Sequence, residues 1–266
     1  MTALEQLDPP DRAALCAAKA QLERPTLAAR LALLAGAPFE RSARLLPQKV
    51  REVVAQVTHT AILRALRVAL ASSTWRVGSR LPRRFTKWAS AATGAAGGFF
   101  GLPALAIEMP ISTLLILRGI TDIARESGED LSDPEAQLAC VQVFALGGFA
   151  RNDDAAETGY YATRAGLATA VREAAEYVAR HGVGEGAPVL VRLASAIAAR
   201  FGLVVSDKLV LAALPVVGAA GGATLNALFA SHFERVAQGH FTVRRLERRY
   251  GAAVVREAYQ AVAAVS

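Results

Sequence analysis

Two long apolar segments, each broken by glycine and proline, constrain the fold of this chain more than any other feature. Residues 97–117 carry one charge, that of Glu108, and residues 209–231 carry none. A helix of about 20 apolar residues can cross a bilayer, but helices that are apolar on every side are also buried inside large soluble proteins. Because proline removes a backbone donor and crowds the preceding turn, we expect a helix to end or kink at Pro103 and Pro110, and Pro215 also argues against one continuous span.

The glycines of the two apolar segments predict close contact between helices. They form pairs four positions apart, so both members of a pair lie on one helix face and leave a shallow groove there. Each glycine inside a helix costs about 1 kcal/mol relative to alanine, so several together indicate a compensating gain in packing. The helix-packing residues predicted in this way are Gly94, Gly97, Gly98, Gly101, Gly218 and Gly222.

The composition favours an all-α fold. Apolar residues make up 53% of the 266 residues and aromatic residues only 6%, so most of the apolar content is alanine, leucine and valine. Alanine and leucine favour helices over sheets. We expect one helical domain with two long apolar, glycine-rich helical segments over residues 46–250, preceded by a helical extension over residues 1–45 and followed by a helical tail over residues 251–266.

Local signals place several helices within this frame. An apolar stripe after Pro47 predicts a helix with Pro47 in its first turn. Ser132 and Glu135 form a capping-box pattern around Pro134, which predicts that a helix starts there. Glycine and proline breaks delimit helices over residues 134–149, 154–181, 188–205 and 223–250.

Basic charge is concentrated near the two ends of the chain. The net charge is +9 over residues 1–90, −5 over residues 91–200 and +3 over residues 201–266. A basic excess suits either nucleic acid or an anionic membrane leaflet. No nucleic-acid-reading motif is present, and the basic region leads into apolar residues, so we expect no nucleic-acid partner.

The stretch WRVGSRLPRRFTKW, residues 75–88, favours contact with a membrane surface. It has five basic residues and no acidic one between the two tryptophans of the chain. Tryptophan and cationic side chains both prefer the headgroup layer, where each cation near an anionic leaflet contributes about 1 kcal/mol. A solvated basic loop is the alternative. The predicted membrane-surface residues are Trp75, Arg76, Arg80, Arg83, Arg84, Lys87 and Trp88.

A second basic cluster follows the second apolar segment. Both apolar segments therefore have basic residues on their outer side, which suits a hairpin or two-pass arrangement with both termini in the cytoplasm. The cluster consists of Arg244, Arg245, Arg248 and Arg249.

The sequence contains no recognisable motif for catalysis, a cofactor or a metal. The nucleophile elbow, the P-loop and the HExxH pattern are all missing. Cys16 and Cys140 are far apart, and no two histidines lie within four positions of each other, so no zinc-binding spacing occurs. We expect a non-enzymatic protein without a cofactor or a metal.

Glu108 is the polar exception in the first apolar segment. A carboxylate in such a place pairs with a cation such as Arg118, takes a raised pKa and stays neutral, or faces water or a ligand. Asp207 and Lys208, at the entrance to the second apolar segment, are expected to form a surface pair.

Three stretches together resemble the EcsC protein family: TGAAGGFFGLPALAIEMP at 93–110, GEDLSDPEAQ at 128–137 and LPVVGAAGGATLNALF at 214–229. The resemblance covers roughly residues 45–250. It implies a bacterial helical protein that associates with a membrane and is accessory to ABC transport or secretion, in a family with no settled biochemical activity. By position, the polar residues of the family fall on Glu108, Asp130, Asp133 and Asn226.

These observations lead to one main hypothesis and two alternatives. We expect a membrane-associated protein on the cytoplasmic side of the inner membrane, where a transporter component is a candidate partner; acidic residues near the N-terminus stand where an export signal would be basic. The first alternative is a binding protein or hydrolase for a lipid-like molecule, with a pocket between the glycine-rich segments and Glu108 as its polar group. The second is a wholly soluble helical bundle in the cytoplasm.

Overall fold

A computed structural model describes residues 2–23, 46–71, 102–147, 159–183, 187–212 and 222–262. All the regular secondary structure in these ranges is helical, so the prediction of an all-α fold is confirmed. A short 3-10 turn, Ala3–Gln6, precedes α1 (Pro9–Glu23), α2 (Gln48–Leu70), α3 (Leu102–Glu126), α4 (Pro134–Leu146), α5 (Gly159–His181), α6 (Pro188–Ala212), α7 (Gly222–Tyr250) and α8 (Ala252–Ala261).

The longest helix, α7, is the centre of the packing. It contacts α1, α3, α4, α6 and α8, and a hydrogen bond between Tyr160 and His240 connects it to α5. α3 runs parallel to α7, because the start of α3 meets the start of α7 and the residue Glu129, just beyond α3, meets Arg244. α6 runs antiparallel to α7, because Phe201 packs on Phe233 while Lys208, later in α6, lies over the earlier Phe229.

Four phenylalanines form the aromatic part of the core where α4, α6 and α7 meet. Phe144 lies 5.1 Å from Phe201 and 5.3 Å from Phe233 between ring centroids, and Phe229 lies 5.2 Å from Phe233. All four rings are buried. Tilted and edge-to-face pairs of this kind contribute about 0.5–1.5 kcal/mol each beyond the burial of area, so they fix the relative positions of the helices that carry the candidate site.

The predicted N-cap of α4 is wrong, and of the two effects expected at Pro110, an end or a kink of the helix, the end does not occur. The N-cap of α4 is Asp133 and not Ser132: the Asp133 carboxylate accepts the Glu135 backbone N–H at 2.9 Å, while the Ser132 hydroxyl donates to Asp130 at 2.7 Å. Carboxylates cap at least as well as hydroxyls. Pro110 does not end α3, which continues through it; Pro110 is itself buried, and packing of α3 on α2 and α7 outweighs the single backbone bond that proline removes.

Helix bounds otherwise follow the predicted order with shifted ends. α4 ends at Leu146, because Gly147 follows it as the C-cap. α6 continues to Ala212, beyond the predicted end at residue 205. Val204 and Val205 are buried in the core, so packing stabilises the helix at the point where its end was predicted.

The first and last helices pack against each other as well as on α7. The Lys19 ammonium is buried and donates to the carbonyl oxygens of Tyr259 at 2.9 Å and Val262 at 2.7 Å. α1 crosses α7 at Gly239, where an added Cβ would lie 2.7 Å from Leu22 Cγ and 3.0 Å from the Ala18 carbonyl oxygen. The division into residues 1–45, 46–250 and 251–266 stays a prediction.

Within the described residues, two helices have the length and apolar character of a membrane span, and half of the most apolar part of each helix is buried. They are Gln48–Leu70 and Pro188–Val210, which differ from the two segments predicted above. The described part of residues 97–117 forms the start of α3, and the described parts of residues 209–231 belong to the end of α6 and the start of α7. Core helices of soluble proteins have the same length and composition.

Candidate functional site

Glu108 forms a buried ion pair that joins the two apolar segments. Its Oε1 accepts one bond from Lys208 Nζ and one from Asn226 Nδ2, both at 2.9 Å. Only 12% of the Glu108 side chain and 7% of the Lys208 side chain are exposed. Glu108 belongs to the first apolar segment, Asn226 belongs to the second, and Lys208 directly precedes the second.

Three helices position this site. Glu108 lies in the second turn of α3, Lys208 near the end of α6 and Asn226 in the second turn of α7. α6 and α7 are antiparallel, so the end of one is beside the start of the other, and α3 brings Glu108 to the same level. The Lys208 ammonium also lies 5.1 Å from the centre of the Phe229 ring, a cation–π distance.

Burial sets the electrostatics of Lys208. Removal from water lowers the pKa of Lys208, and the Glu108 carboxylate opposes that shift by stabilising the charged ammonium. Loss of one partner from a buried pair typically costs about 3–5 kcal/mol, because the other charge is left without compensation. The three helices are therefore held together here by groups that depend on one another.

Two predictions about these residues are corrected by this geometry. Glu108 pairs with Lys208 and not with Arg118, which lies ten positions further along the same helix, about 15 Å away. Lys208 does not form a surface pair with Asp207; it is buried and bonds Glu108. Neighbouring residues on a helix point in different directions, so sequence adjacency was the wrong guide to its partner.

Two buried hydroxyl groups follow Glu108 along α3. Ser112 is one turn beyond Glu108 on the same helix face, and Thr113 is next to it; 2% and 0% of these residues are exposed. Within the described part of the chain, neither the Ser112 Oγ nor the Thr113 Oγ1 has a hydrogen-bond partner. A buried hydroxyl without a partner costs free energy, so unused hydrogen-bonding capacity lies beside the ion pair.

Exposed apolar side chains lie near Glu108 and Lys208 along their helices. Ile107 is 71% exposed and Ile111 is 45% exposed, and both flank Glu108 on α3; Leu203, which is 45% exposed, precedes Lys208 on α6 by less than two turns. We call Ile107, Ile111 and Leu203 the apolar end. Val183 is also exposed, but it precedes α6, about 30 Å from Lys208 along that helix.

Asp130 and Asp133 do not join Glu108 and Asn226. They lie in the loop beyond α3, about 30 Å from Glu108 along the helix axis. Asp130 accepts the Ser132 backbone N–H at 2.9 Å and orders the loop, while Asp133 caps α4. Both are exposed and both have structural bonds.

Glu129, the buried acid of that loop, has no feature in the sequence that sets it apart from its acidic neighbours. Arg244 binds its carboxylate with two bonds of 2.9 and 3.0 Å, and Arg248 Nη1 donates to the same carboxylate. Burial alone would raise the pKa of Glu129, but hydrogen bonds and the charges of Arg244 and Arg248 hold that pKa below its ordinary value.

The second basic cluster consequently has another explanation than a membrane flank. Besides Arg244 and Arg248, Arg245 Nη1 donates to Asp11 at 3.2 Å and Arg249 donates to Asp11 at 2.7 Å and to Asp8 at 2.6 Å. All four arginines bind carboxylates of α1 or of the loop beyond α3. The pattern i, i+1, i+4, i+5 in the sequence marks one side of a helix, but only the fold reveals the acids opposite.

A second buried polar group ties α5 to α7. The Tyr160 hydroxyl lies 2.9 Å from His240 Nδ1, and Arg164 binds Glu247 with bonds of 2.7 and 2.9 Å. Burial first, and then the charges of Arg164 and Arg244, lower the pKa of His240 well below its ordinary value. Burial likewise raises the pKa of Tyr160.

Most of the remaining predicted site residues lie outside the described residues. Gly222 is the first residue of α7. The described residues contain no group of His, Cys, Asp and Glu side chains that could hold a metal ion. The predicted residues outside the described ranges are Trp75, Arg76, Arg80, Arg83, Arg84, Lys87, Trp88, Gly94, Gly97, Gly98, Gly101 and Gly218.

A comparison with protein-family models decides the family. The model of the EcsC protein family matches residues 80–246, more than half of the chain. The chain belongs to the EcsC family. No curated protein and no solved structure matches it. The EcsC match includes the three residues of the ion-pair site and excludes α1, α2 and α8, so the site lies inside the family domain.

Proposed function

We propose that this EcsC-family protein associates with the cytoplasmic surface of the inner membrane through its apolar end, and that it acts by binding and not by catalysis. The observation that carries the proposal is the convergence of both apolar segments on the Glu108–Lys208–Asn226 site. The described ends of the most apolar stretches of the chain therefore lie at one end of the helical bundle.

Exposure at that end supports the proposal. Ile107 and Ile111 are large apolar side chains that stay exposed instead of packing in the core. They lie one turn apart on the same side of α3. Burial of apolar area contributes about 25 cal/mol per Å², so contact with lipid would stabilise these side chains. The basic stretch 75–88 precedes α3 in the sequence and ends 19 positions before Ile107.

The charge of the basic stretch also supports contact with a membrane surface. Five cations with two tryptophans suit an anionic headgroup layer, and thirteen residues separate their stretch from the start of α3. In this proposal the basic stretch contacts the headgroups while the apolar end reaches the acyl boundary. A component of an ABC transporter or secretion system is the proposed protein partner, as the EcsC resemblance implies.

Vesicle flotation tests the proposal with a matched control. We expect the wild-type protein to float with vesicles of phosphatidylglycerol and phosphatidylcholine, and the Ile107→Asp/Ile111→Asp variant to stay in the dense fractions. Val183→Asp also adds a charge at an exposed apolar position, but far from the apolar end, and should float like the wild type.

Two outcomes would contradict the proposal. One is wild-type protein that stays in the dense fractions with every vesicle composition and disperses without detergent. The other is equal loss of flotation in Val183→Asp and in the double variant, which would mean that any added negative charge reduces binding. Circular dichroism on all variants establishes that each is folded.

A further inference from the structure

We propose that Lys208 and Asn226 form a binding site for the phosphate of an anionic lipid headgroup, and that Glu108 occupies this site in the lipid-free protein. This inference rests on the proposed function, because it assigns the lipid class that the apolar end recognises.

The donors of α6 and α7 converge as they would on an anion. Lys208 Nζ and Asn226 Nδ2 both donate to a single oxygen, Glu108 Oε1, at 2.9 Å. A cation and an amide aimed at one oxygen provide the charge-assisted bonds that a phosphate oxygen accepts equally well. The acceptor comes from a third helix, so the donors can stay in place while the acceptor changes.

Ser112 adds an unused donor at the same site. Its hydroxyl is buried and has no partner among the described residues. It lies one turn from Glu108 on the same face of α3, about 6 Å away. A carboxylate offers two oxygens, whereas a phosphodiester also presents further oxygens, so a phosphate in place of Glu108 could accept a bond from Ser112 as well.

The exchange leaves no charge buried alone. When a phosphate replaces Glu108, the Lys208 ammonium keeps an anionic partner, so the penalty of an unpaired buried charge does not arise. Glu108 is beside the exposed Ile107 and its own side chain is already partly exposed, so its carboxylate can turn outwards into water or the headgroup layer.

The surroundings favour a lipid over free phosphate. The site lies next to Ile107 and Ile111, and a headgroup phosphate is located where apolar chains meet water. A soluble phosphate gains the polar bonds alone, while a lipid also buries apolar area against the apolar end.

The test compares Glu108→Gln with Glu176→Gln on vesicles. Gln keeps the size of Glu108 and can still accept bonds from Lys208 and Asn226, but it removes the internal anion. Glu176 is an exposed residue of α5 that pairs with Arg180, so its substitution changes net charge by the same amount. We expect Glu108→Gln to bind phosphatidylglycerol vesicles about ten-fold more tightly than Glu176→Gln, since a charge-assisted competitor is gone. The difference should be much smaller on phosphatidylcholine vesicles, because the choline cation of that lipid offsets the charge of its phosphate.

A second variant removes the cation of the proposed site as well as the anion. Glu108→Gln/Lys208→Met restores the net charge of the wild type and removes the cation, so the gain on phosphatidylglycerol vesicles should disappear. Equal affinities of Glu108→Gln and Glu176→Gln would overturn the inference, and so would a gain that persists in the double variant.

The wild-type protein provides a measurement that needs no variant. We expect short-chain phosphatidylglycerol below its critical micelle concentration to raise the melting temperature, and short-chain phosphatidylcholine to raise it less, because its choline cation offsets the charge of the same phosphodiester. Inorganic phosphate at the same concentration should leave the melting temperature unchanged. An equal rise with inorganic phosphate would show a free-phosphate site and overturn the lipid assignment.

Failure of this inference and failure of the proposed function give different results. If flotation depends on Ile107 and Ile111 but Glu108→Gln changes nothing, the membrane surface is correct and the headgroup site is wrong. If wild-type protein never floats, the proposed function itself is wrong.

Discussion

At the scale of single residues, the chemistry of the candidate site follows from burial. Glu108 in water would be an ordinary carboxylate, but between α3, α6 and α7 it is the charge partner of Lys208 and the acceptor of Asn226. Replacement of a buried ion pair by apolar residues is often neutral, while loss of one member is costly. The main effect of the pair is therefore to determine which parts of the three helices come together, and its net contribution to total stability is small.

Removal of the Glu108 carboxylate should expose this dependence. We expect Glu108→Ala to lower the free energy of unfolding by about 3–5 kcal/mol, because Lys208 would be buried without an anion. Glu108→Leu/Lys208→Met should recover most of the loss. The measurement is urea unfolding followed by circular dichroism.

Glu176→Ala is the control for that measurement. The Glu176–Arg180 pair is exposed, and exposed pairs of this spacing contribute about 0.3–0.5 kcal/mol. Similar losses at Glu108 and Glu176 would mean that the buried pair behaves like a surface pair, in conflict with the structure.

His240 should make stability depend on pH in a defined window. Its pKa in the folded state lies well below the ordinary value of 6.5, because burial and the charges of Arg164 and Arg244 disfavour the imidazolium. The unfolded chain therefore binds the proton first as pH falls. Stability from His240 is complete above pH 6.5 and decreases below it, by at most about 1.4 kcal/mol per pH unit.

Unfolding free energies between pH 8 and pH 5 test this expectation. We expect the decline between pH 6.5 and 5 to become shallower in His240→Gln, which keeps a polar group opposite the Tyr160 hydroxyl. Glu129 also loses stabilisation on acidification, but in a lower window, since its pKa is held below its ordinary value of 4.5. An unchanged slope in His240→Gln would assign the pH dependence to other groups.

At the scale of helices, the contact between α1 and α7 depends on one missing side chain. A Cβ at Gly239 would lie 3.0 Å from the Ala18 carbonyl oxygen and 2.7 Å from Leu22 Cγ. The leucine can rotate, but the backbone of α1 can only move away. Close approach of the two helices thus outweighs the cost of glycine inside α7.

Gly239→Val should consequently destabilise the protein by about 1–3 kcal/mol, the usual cost of overpacking. Gly166→Ala is the matched control, because nothing lies within 4 Å of a Cβ added at Gly166 in α5. There alanine should stabilise by up to about 1 kcal/mol through helix propensity. Thermal melting of both variants checks the pair of expectations, and shifts in the same direction would be evidence against the close crossing.

The helices were largely predictable from the sequence, and the partners of the charged residues were not. Apolar stripes and glycine or proline breaks are local signals, so α2, α4, α5, α6 and α7 could be placed. Glu108 stood out as an isolated charge among apolar residues, and Asn226 came from the family resemblance.

Long-range pairs explain the misses. Lys208 is one hundred positions from Glu108, and Arg244 is likewise distant from Glu129. A single sequence contains no signal for such pairs, because the attraction exists only once the fold has brought α6 and α7 beside α3. For the same reason, the arginines of α7 resembled a membrane flank until the acids of α1 and Glu129 were located.

At the scale of the whole molecule, the four arginines near the end of α7 are paired within the described bundle, so the proposed attraction to an anionic membrane is expected to come from another part of the chain. Arg244, Arg245, Arg248 and Arg249 each bind a carboxylate. The basic stretch 75–88 contains no acid that could neutralise it from within. It is therefore the expected source of selectivity for anionic lipids, and the apolar end is the expected source of affinity that salt does not screen.

Neutralising the basic stretch should separate these two contributions. We expect substitution of its five cations by glutamine to weaken binding to phosphatidylglycerol vesicles by about four-thousand-fold, since each contributes about 1 kcal/mol near an anionic surface, with little effect on phosphatidylcholine vesicles. At about 1 M salt, where the Debye length is about 3 Å, the difference from wild type should vanish while the effect of Ile107→Asp/Ile111→Asp persists. Exposed Arg172 and Arg180 of α5 supply the control: if their substitution by glutamine costs as much per charge, attraction follows net charge alone and the basic stretch has no special position on the membrane.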